Sequence, residues 1–332
     1  MRLLSLPAQP RPRRPRRRPG PRPARGAALL VAMVLLTVVA TLAAGMVWQQ
    51  WKGVQVEAAE RSRAQTAWIL VGALDWARLI LREDARSGRA TSLNEPWATP
   101  LAEARLSTFL ATDANNNADG GPEAFLAGSI TDAQSHYNLR NLLVDGQVAP
   151  AQLAILQRLC SGAGLGSGLA SQIANGLLAA SAQGAARDST AALAPQQLAD
   201  LAWLGLDAAS LERLATVAVL LPERSTVNLN TAPREVLAGV IAKLDLGGAD
   251  RLVQHRQRQP LRNLAEATQV LGAGVTLEPG DVDVKSSYFE VRGRLRLEQR
   301  VLSELTLVKR TTGNEVVAVQ RQRQAALSPP LR

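Results

Sequence analysis

Ala27–Trp48 reads AALLVAMVLLTVVATLAAGMVW, 22 residues without an ionisable side chain, and the uncharged stretch continues to Trp51. At about 1.5 Å of rise per residue, some 20 apolar residues cross the roughly 30 Å hydrocarbon core of a bilayer, so this run is long enough to span a membrane once. The residues before it include nine arginines (Arg2, Arg11, Arg13, Arg14, Arg16, Arg17, Arg18, Arg22 and Arg25) and no acid. Positive charge of this kind stays on the cytoplasmic side, which places everything after Trp51 across the membrane. Setting the leader's nine charges against the chain's formal +10 leaves +1 for the rest. The basic character therefore belongs to the leader, and the body has little net charge to gather phosphate. Leu42-Ala43-Ala44 could serve as a small-residue secretory cleavage site, but the apolar run exceeds the usual 7–15 residues of such signals. An uncleaved anchor and a cut before the apolar run stay open at this point.

The helical pattern does not stop at the membrane. Val54, Ala58, Ala64, Trp68, Val71, Gly72, Trp76, Leu79 and Ile80 recur mostly at spacings of three and four, and no proline occurs between Ala24 and Glu95. This predicts one long helix from about Ala27 to about Asp84. The Trp68/Gly72/Trp76 face reads equally as an assembly surface or as the seam against the domain's own core. Ser87–Val148 is rich in Gly, Asn, Asp and Pro and reads as loops and short strands. Helices are expected at Ala151–Cys160, Leu169–Ala179, Pro195–Leu204, Leu211–Leu221, Arg234–Leu244, Ala249–Arg258 and Leu264–Val270, with Asn230-Thr231-Ala232-Pro233 as a cap followed by proline.

After Asp281 the period becomes two. Phe289, Val291, Gly293, Leu295 and Leu297 alternate with charged residues, Val301–Lys309 and Glu315–Gln320 read as further strands, and Thr312-Gly313-Asn314 reads as a turn. The fold class is α+β: a long N-terminal helix and an antiparallel sheet, interrupted by an all-helical insertion. The expected segments are a leader (1–26), a transmembrane helix (27–51), a first part of the sheet domain (52–149), the helical insertion (150–275), closing strands (276–322) and a disordered tail (323–332).

Little in the chain suggests catalysis. It has two histidines, His136 and His255, neither with an evident partner, and a single cysteine, Cys160, on an apolar helical pattern that predicts a buried thiol. With one cysteine no intrachain disulfide is possible. Asp113, Asn115, Asn117 and Asp119 space oxygen ligands at alternate positions as a calcium loop does, although Ala118 stands at the sixth place and Ala124 at the twelfth, where an EF-hand carries glycine and glutamate. Val227–Gly272 resembles a helix-hairpin-helix module, a fold that often grips the DNA backbone. Its turn, Leu246-Gly247-Gly248-Ala249, is imperfect, while Arg251, Arg256, Arg258 and Arg262 supply positive charge. A DNA-contacting pilin of type IV or competence type is the rival reading to a protein-binding one.

Three stretches carry a family resemblance: Arg25-Gly26-Ala27-Ala28-Leu29-Leu30; Ile130-Thr131-Asp132 with Tyr137-Asn138-Leu139-Arg140-Asn141-Leu142; and Val227-Asn228-Leu229-Asn230-Thr231-Ala232-Pro233. With the helical insertion, they make the chain resemble the minor pseudopilins of type II secretion called general secretion pathway protein K. The resemblance implies cleavage by the prepilin peptidase between Gly26 and Ala27, which leaves the membrane helix on the mature chain. Most pilins carry glutamate at the fifth mature position, where this chain has Val31. The K-type pseudopilins also lack that acid, consistent with a place at the filament tip. The implied setting is the inner membrane with the body in the periplasm. The implied partners are other minor pseudopilins, the inner-membrane secretion platform and lipid, without nucleic acid and without enzymatic activity. Calcium binding, common among pseudopilins, is the implied role for Asp113–Asp119.

Overall fold

A computed structural model describes residues 27–106, 124–181, 193–272, 274–297 and 300–327. Helix α1 runs unbroken over Ala27–Arg86, as the absence of proline requires. The chain divides into two compact units, Met1–Ala64 and Gln65–Arg332.

The described part of the first unit is α1 alone, with its apolar side chains exposed. Such a helix is stable where lipid supplies the apolar surroundings. Its only hydroxyls in the apolar run, Thr37 and Thr41, donate back to the carbonyls of Val34 and Val38 at 2.8 and 2.9 Å, so neither meets hydrocarbon unpaired. Trp48 and Trp51 stack at 5.3 Å between ring centroids, and Lys52 lies 5.4 Å from the Trp48 ring. Tryptophan with lysine is the pairing favoured at a membrane–water boundary. The 21 residues from Ala27 to Val47 then span about 31 Å.

The second unit is built on a five-stranded antiparallel sheet of β1 (Leu101–Arg105), β2 (Ala124–Asp132), β3 (Tyr288–Leu297), β4 (Arg300–Arg310) and β5 (Val316–Leu327), in that spatial order. Strands β2 and β3 are hydrogen-bonded neighbours from Ala124↔Leu297 to Asp132↔Phe289. The whole helical block therefore leaves the sheet after Asp132 and re-enters it at Tyr288. One face of the sheet packs on Leu70, Leu74, Ala77 and Leu81 of α1, joined by Trp97, Phe289, Val291, Leu295, Val308 and Val316. Trp97 meets Phe289 edge-on at 5.2 Å, a preferred aromatic geometry. At the centre of this face α1 comes close to the sheet at Gly293, where a Cβ would lie 3.1 Å from Leu70 Cδ2.

The end of α1 is locked to the sheet by Asp84 and Arg310, an ion pair with both side chains under 10% exposed. Arg78 adds a bond to the carbonyl of Val316 at 2.7 Å.

The helical block comprises α2 (Pro150–Gly162), α3 (Leu169–Ser181), a 3-10 segment (Leu198–Leu204), α4 (Ala208–Leu214), α5 (Arg234–Val240), α6 (Leu246–Arg258) and α7 (Leu264–Leu271). Their starts are legible chemically. Pro150 opens α2, and Asp207, Asp245 and Asn263 each accept a backbone N–H at the start of their helices. One apolar core unites them, and it includes Tyr137, Leu139 and Leu142 ahead of α2 as well as Val282 and Val284 behind α7. The approach of α2 to α5 is close enough that a Cβ on Gly239 would sit 2.3 Å from Leu159 Cδ2. Parallel bridges tie Tyr137-Asn138 to Ala218-Val219 and Val227-Asn228 to Val282-Asp283.

Several expectations change. The helix expected over Leu211–Leu221 ends at Leu214, because Ala218-Val219 is drawn into the bridge and the N–H of Leu221 is taken by Asn138 Oδ1 at 3.1 Å. Asn230 and Thr231 do not cap α5; their side chains serve Leu261 and Asp132 instead, and Pro233 occupies the cap position. The last strand continues to Leu327, so the tail expected from 323 begins no earlier than residue 328. Strand β2, nine residues long, is longer than the short strands expected over Ser87–Val148. Gly26 and the calcium candidates Asp113, Asn115, Asn117 and Asp119 lie outside the described residues; Ala27 is the first residue of α1, and Val31 is an exposed position on it.

Candidate assembly surface

The half of α1 in the second unit has two unlike faces. Thr66, Leu70, Leu74, Ala77 and Leu81 are buried, the i, i+4 progression of a seam. Trp68, Gly72, Trp76 and Leu79 occupy the opposite face, and Trp68 is 74% and Trp76 53% exposed. A Cβ on Gly72 would meet nothing within 4 Å, so this glycine answers no packing need inside the domain and leaves a gap between two tryptophans one turn to either side. Of the two readings left open for this face, the seam is excluded. Exposed indole pairs are uncommon on a free surface, and Trp is enriched where most binding energy resides.

The motifs before and within the helical block converge at the neck where the chain leaves and rejoins the sheet. Asp132, the last residue of β2, is buried. Its Oδ2 accepts from Asn228 Nδ2 at 2.9 Å, Thr231 Oγ1 at 2.6 Å and Ser286 Oγ at 2.6 Å, while Oδ1 accepts from the N–H of Gln134 at 2.8 Å. Burial pushes its carboxyl above the ordinary carboxylate range, against the smaller pull of these donors. Gln134 completes the clasp, its Oε1 accepting from the N–H groups of Ser287 and Tyr288 at 2.6 and 3.1 Å.

Three asparagines act as surrogate backbone. Asn138 accepts from the N–H of Leu221 and donates to the carbonyl of Glu223 at 2.6 Å, Asn141 bridges both backbone groups of Ser225, and Asn230 bridges both of Leu261. Buried amides with both ends satisfied hold loops in one arrangement. Sequence reasoning singled out these segments, and the structure assigns them to positioning the helical block.

Of the remaining singled-out residues, Arg251 and Arg258 are exposed and His255 is half-buried; the others are placed by burial or by pairing. Cys160 is buried and its thiol is pushed up to about 11, which leaves it protonated and unreactive. His136 is lowered by burial and shares a 2.8 Å hydrogen bond with Ser135 Oγ. Arg256 is 7% exposed and donates to the carbonyl of Leu229; desolvation draws it down to about 10. Arg262 pairs with Glu266, and Arg234 with Asp250 and Glu235. In the hairpin turn, the N–H of Gly248 is taken by Asp245 Oδ1 at 2.7 Å. Cys160, His136 and Arg256 are spent within the fold, and Arg262 and Arg234 are paired at its surface. Among the described residues no three Asp, Glu, His or Cys side chains gather as a metal site.

Residues 227–285 match the family described as type II secretion system (T2SS), protein K. These residues run from Val227, the position before Asn228 of the clasp, to Lys285, the position before Ser286. The chain is also 26% identical to type II secretion system protein K of Pseudomonas aeruginosa, over 92% of this chain and 95% of that one. The chain is thus similar to protein K of the type II secretion system along nearly its whole length. A second protein of that name, from Pectobacterium carotovorum, is 27% identical over 90% of this chain and 96% of its own length. The fold is similar to a chain in the crystal structure of the GspK-GspI-GspJ complex from enterotoxigenic Escherichia coli, with a TM-score of 0.61, 18% identity, and coverage of 81% of this chain and 99% of that one.

Proposed function

We infer that this chain acts as a minor pseudopilin of type II secretion, anchored by the apolar half of α1 and joined to other minor pseudopilins through the outward face of its second half. The observation that carries this reading is the Trp68–Gly72–Trp76–Leu79 stripe, exposed on the same continuous helix that bears the membrane segment. A neighbouring pseudopilin with its own membrane helix would lie alongside α1, and a glycine between two tryptophans offers its side chains a hollow with two apolar walls. The role is mechanical: it assembles and performs no chemistry.

The finer reading proposes an inner-membrane location with the N-terminus cytoplasmic, and processing by the prepilin peptidase between Gly26 and Ala27. It also proposes a place at the pseudopilus tip, where Val31 in place of glutamate and a large helical block suit a subunit with none stacked above it. Calcium is the proposed ligand of Asp113, Asn115, Asn117 and Asp119. Their oxygen donors suit a hard cation, and Ala124 at the twelfth place starts β2 and supplies no side-chain ligand.

The test is co-purification of the full-length chain with the minor pseudopilins encoded beside it. Trp68→Asp with Trp76→Asp should abolish the complex and leave the melting temperature of the isolated chain unchanged. Retention of the complex would refute the assignment of this face.

A further inference from the structure

The sheet has a second face, turned away from α1. Because Val291, Gly293 and Leu295 of β3 share the face that packs on α1, alternation puts Arg292 and Arg294 on the other. The register sets Ala127 and Ser303 beside Arg294, and Ser129 and Leu305 beside Arg292. Both arginines therefore rise from a floor of mostly short side chains and are exposed. Arg294 has no carboxylate partner among the described residues, and Arg292 reaches Glu290 only at 3.5 Å.

Two hollows meet on this floor. One of about 520 Å³ lies around Arg292, Arg294 and Ser303, and one of about 600 Å³ lies where the sheet meets the helical block, lined by Leu305, Leu307, Leu198 and three glutamines. They share Ser129, Arg292 and Leu305, so they form one groove. At its far end Gln322 donates to Gln197 across the cleft.

We propose that this groove binds an extended acidic segment of a partner protein, its carboxylates pairing with Arg292 and Arg294 and its alternate apolar side chains resting on Leu305 and Leu307. Charge complementarity selects the occupant: Arg294 has no carboxylate partner among the described residues and Arg292 only Glu290 at 3.5 Å, so both guanidinium groups attract carboxylates, for which their fork geometry is suited. Side-chain amides at the inner end supply donors and acceptors for an extended main chain. The groove lies on the opposite side of the sheet from α1, so it stays open when the tryptophan stripe is covered, and it does not rest on the assembly reading.

The test is fluorescence anisotropy of a labelled peptide of alternating glutamate and leucine, added to the full-length protein in detergent, against a lysine–leucine peptide of the same length. The acidic peptide should bind, the basic one should not, and Arg292→Glu with Arg294→Glu should weaken binding about tenfold or more. Ala127→Trp fills the groove without changing its charge and should abolish binding, with the melting temperature as the control for folding in both variants. Failure of the acidic peptide to bind, equal binding of the basic one, or affinity unmoved in either folded variant would overturn the proposal and leave the assembly reading standing.

Discussion

Replacing Asp132 tests whether the neck is held as described. Three donors converge on its Oδ2 and one on its Oδ1. In Asp132→Ala some of them recover: Asn228 Nδ2 keeps the carbonyl of Thr91 at 3.1 Å and Ser286 Oγ at 2.9 Å, and Thr231 Oγ1 keeps a long contact to the carbonyl of Asn228 at 3.5 Å. The N–H of Gln134 and the hydroxyl of Ser286 lose their acceptor. Two buried donors left unpaired at roughly 1–3 kcal/mol each, offset in part by no longer burying a carboxylate, give a net cost of about 3–4 kcal/mol. For a unit of this size that is a fall in melting temperature of roughly 6–16 °C. Asp132→Asn should cost less, about 1–2 kcal/mol: its oxygen can serve the three donors, leaving its NH2 against a single N–H of Gln134. Scanning fluorimetry on the tryptophans reads both variants. A loss under about 1 kcal/mol in Asp132→Ala, or a larger loss in Asp132→Asn, would refute the clasp.

Glu95 gives a pH dependence of defined sign. Burial, opposed by the 2.6 Å bond from Trp97 Nε1 and assisted by neighbouring Asp84, raises its carboxyl to about 7. A carboxyl raised on folding stabilises the protonated form, so the contribution is present below about 4.5 and lost as the pH rises through about 7. Glu95→Gln should leave the melting temperature unchanged at pH 5 and raise it at pH 8, by about 1–2 kcal/mol in stability once solvent screening is allowed for; no gain at pH 8 would contradict the burial argument. Co-expression with the prepilin peptidase should yield a mature chain beginning at Ala27 by intact mass, and a terminus near Gly45 would count against the pilin-type leader. Calcium should raise the melting temperature, and Asp113→Ala with Asp119→Ala should remove the shift; its persistence would move the site elsewhere.

How much of this was legible follows from which signals are local. The membrane run, the unbroken helix and the two-residue period of β3 depend on neighbours in sequence, and all three appear where expected. The inward face of α1 was not legible: beyond Trp51 large apolar residues fall on both sides of the helix, with Trp68 and Trp76 on a stripe that is exposed while Leu70, Leu74 and Leu81 form the seam. The early end of α4 depends on Asn138, more than 80 residues away, capturing Leu221, which no local propensity records. The clasp was half legible. Its segments were picked out as motifs, yet only the pairing of β2 with β3 brings Asp132 and Ser286 together. Asp145-Gly146, at φ of 50° and 75°, closes the hairpin of Leu143-Val144 with Gln147-Val148, and that aspartate–glycine turn was a readable signal passed over.

The most direct test of the central claim is position-resolved photo-crosslinking along α1 in cells making the other minor pseudopilins. A crosslinking residue at Trp68, Gly72, Trp76 or Leu79 should capture another pseudopilin, whereas one at Ala67 or Ala85, half-buried on the flank of the helix away from the stripe, should capture far less. Equal capture around the helix, or none from the stripe while other surfaces of the chain crosslink, would contradict the account.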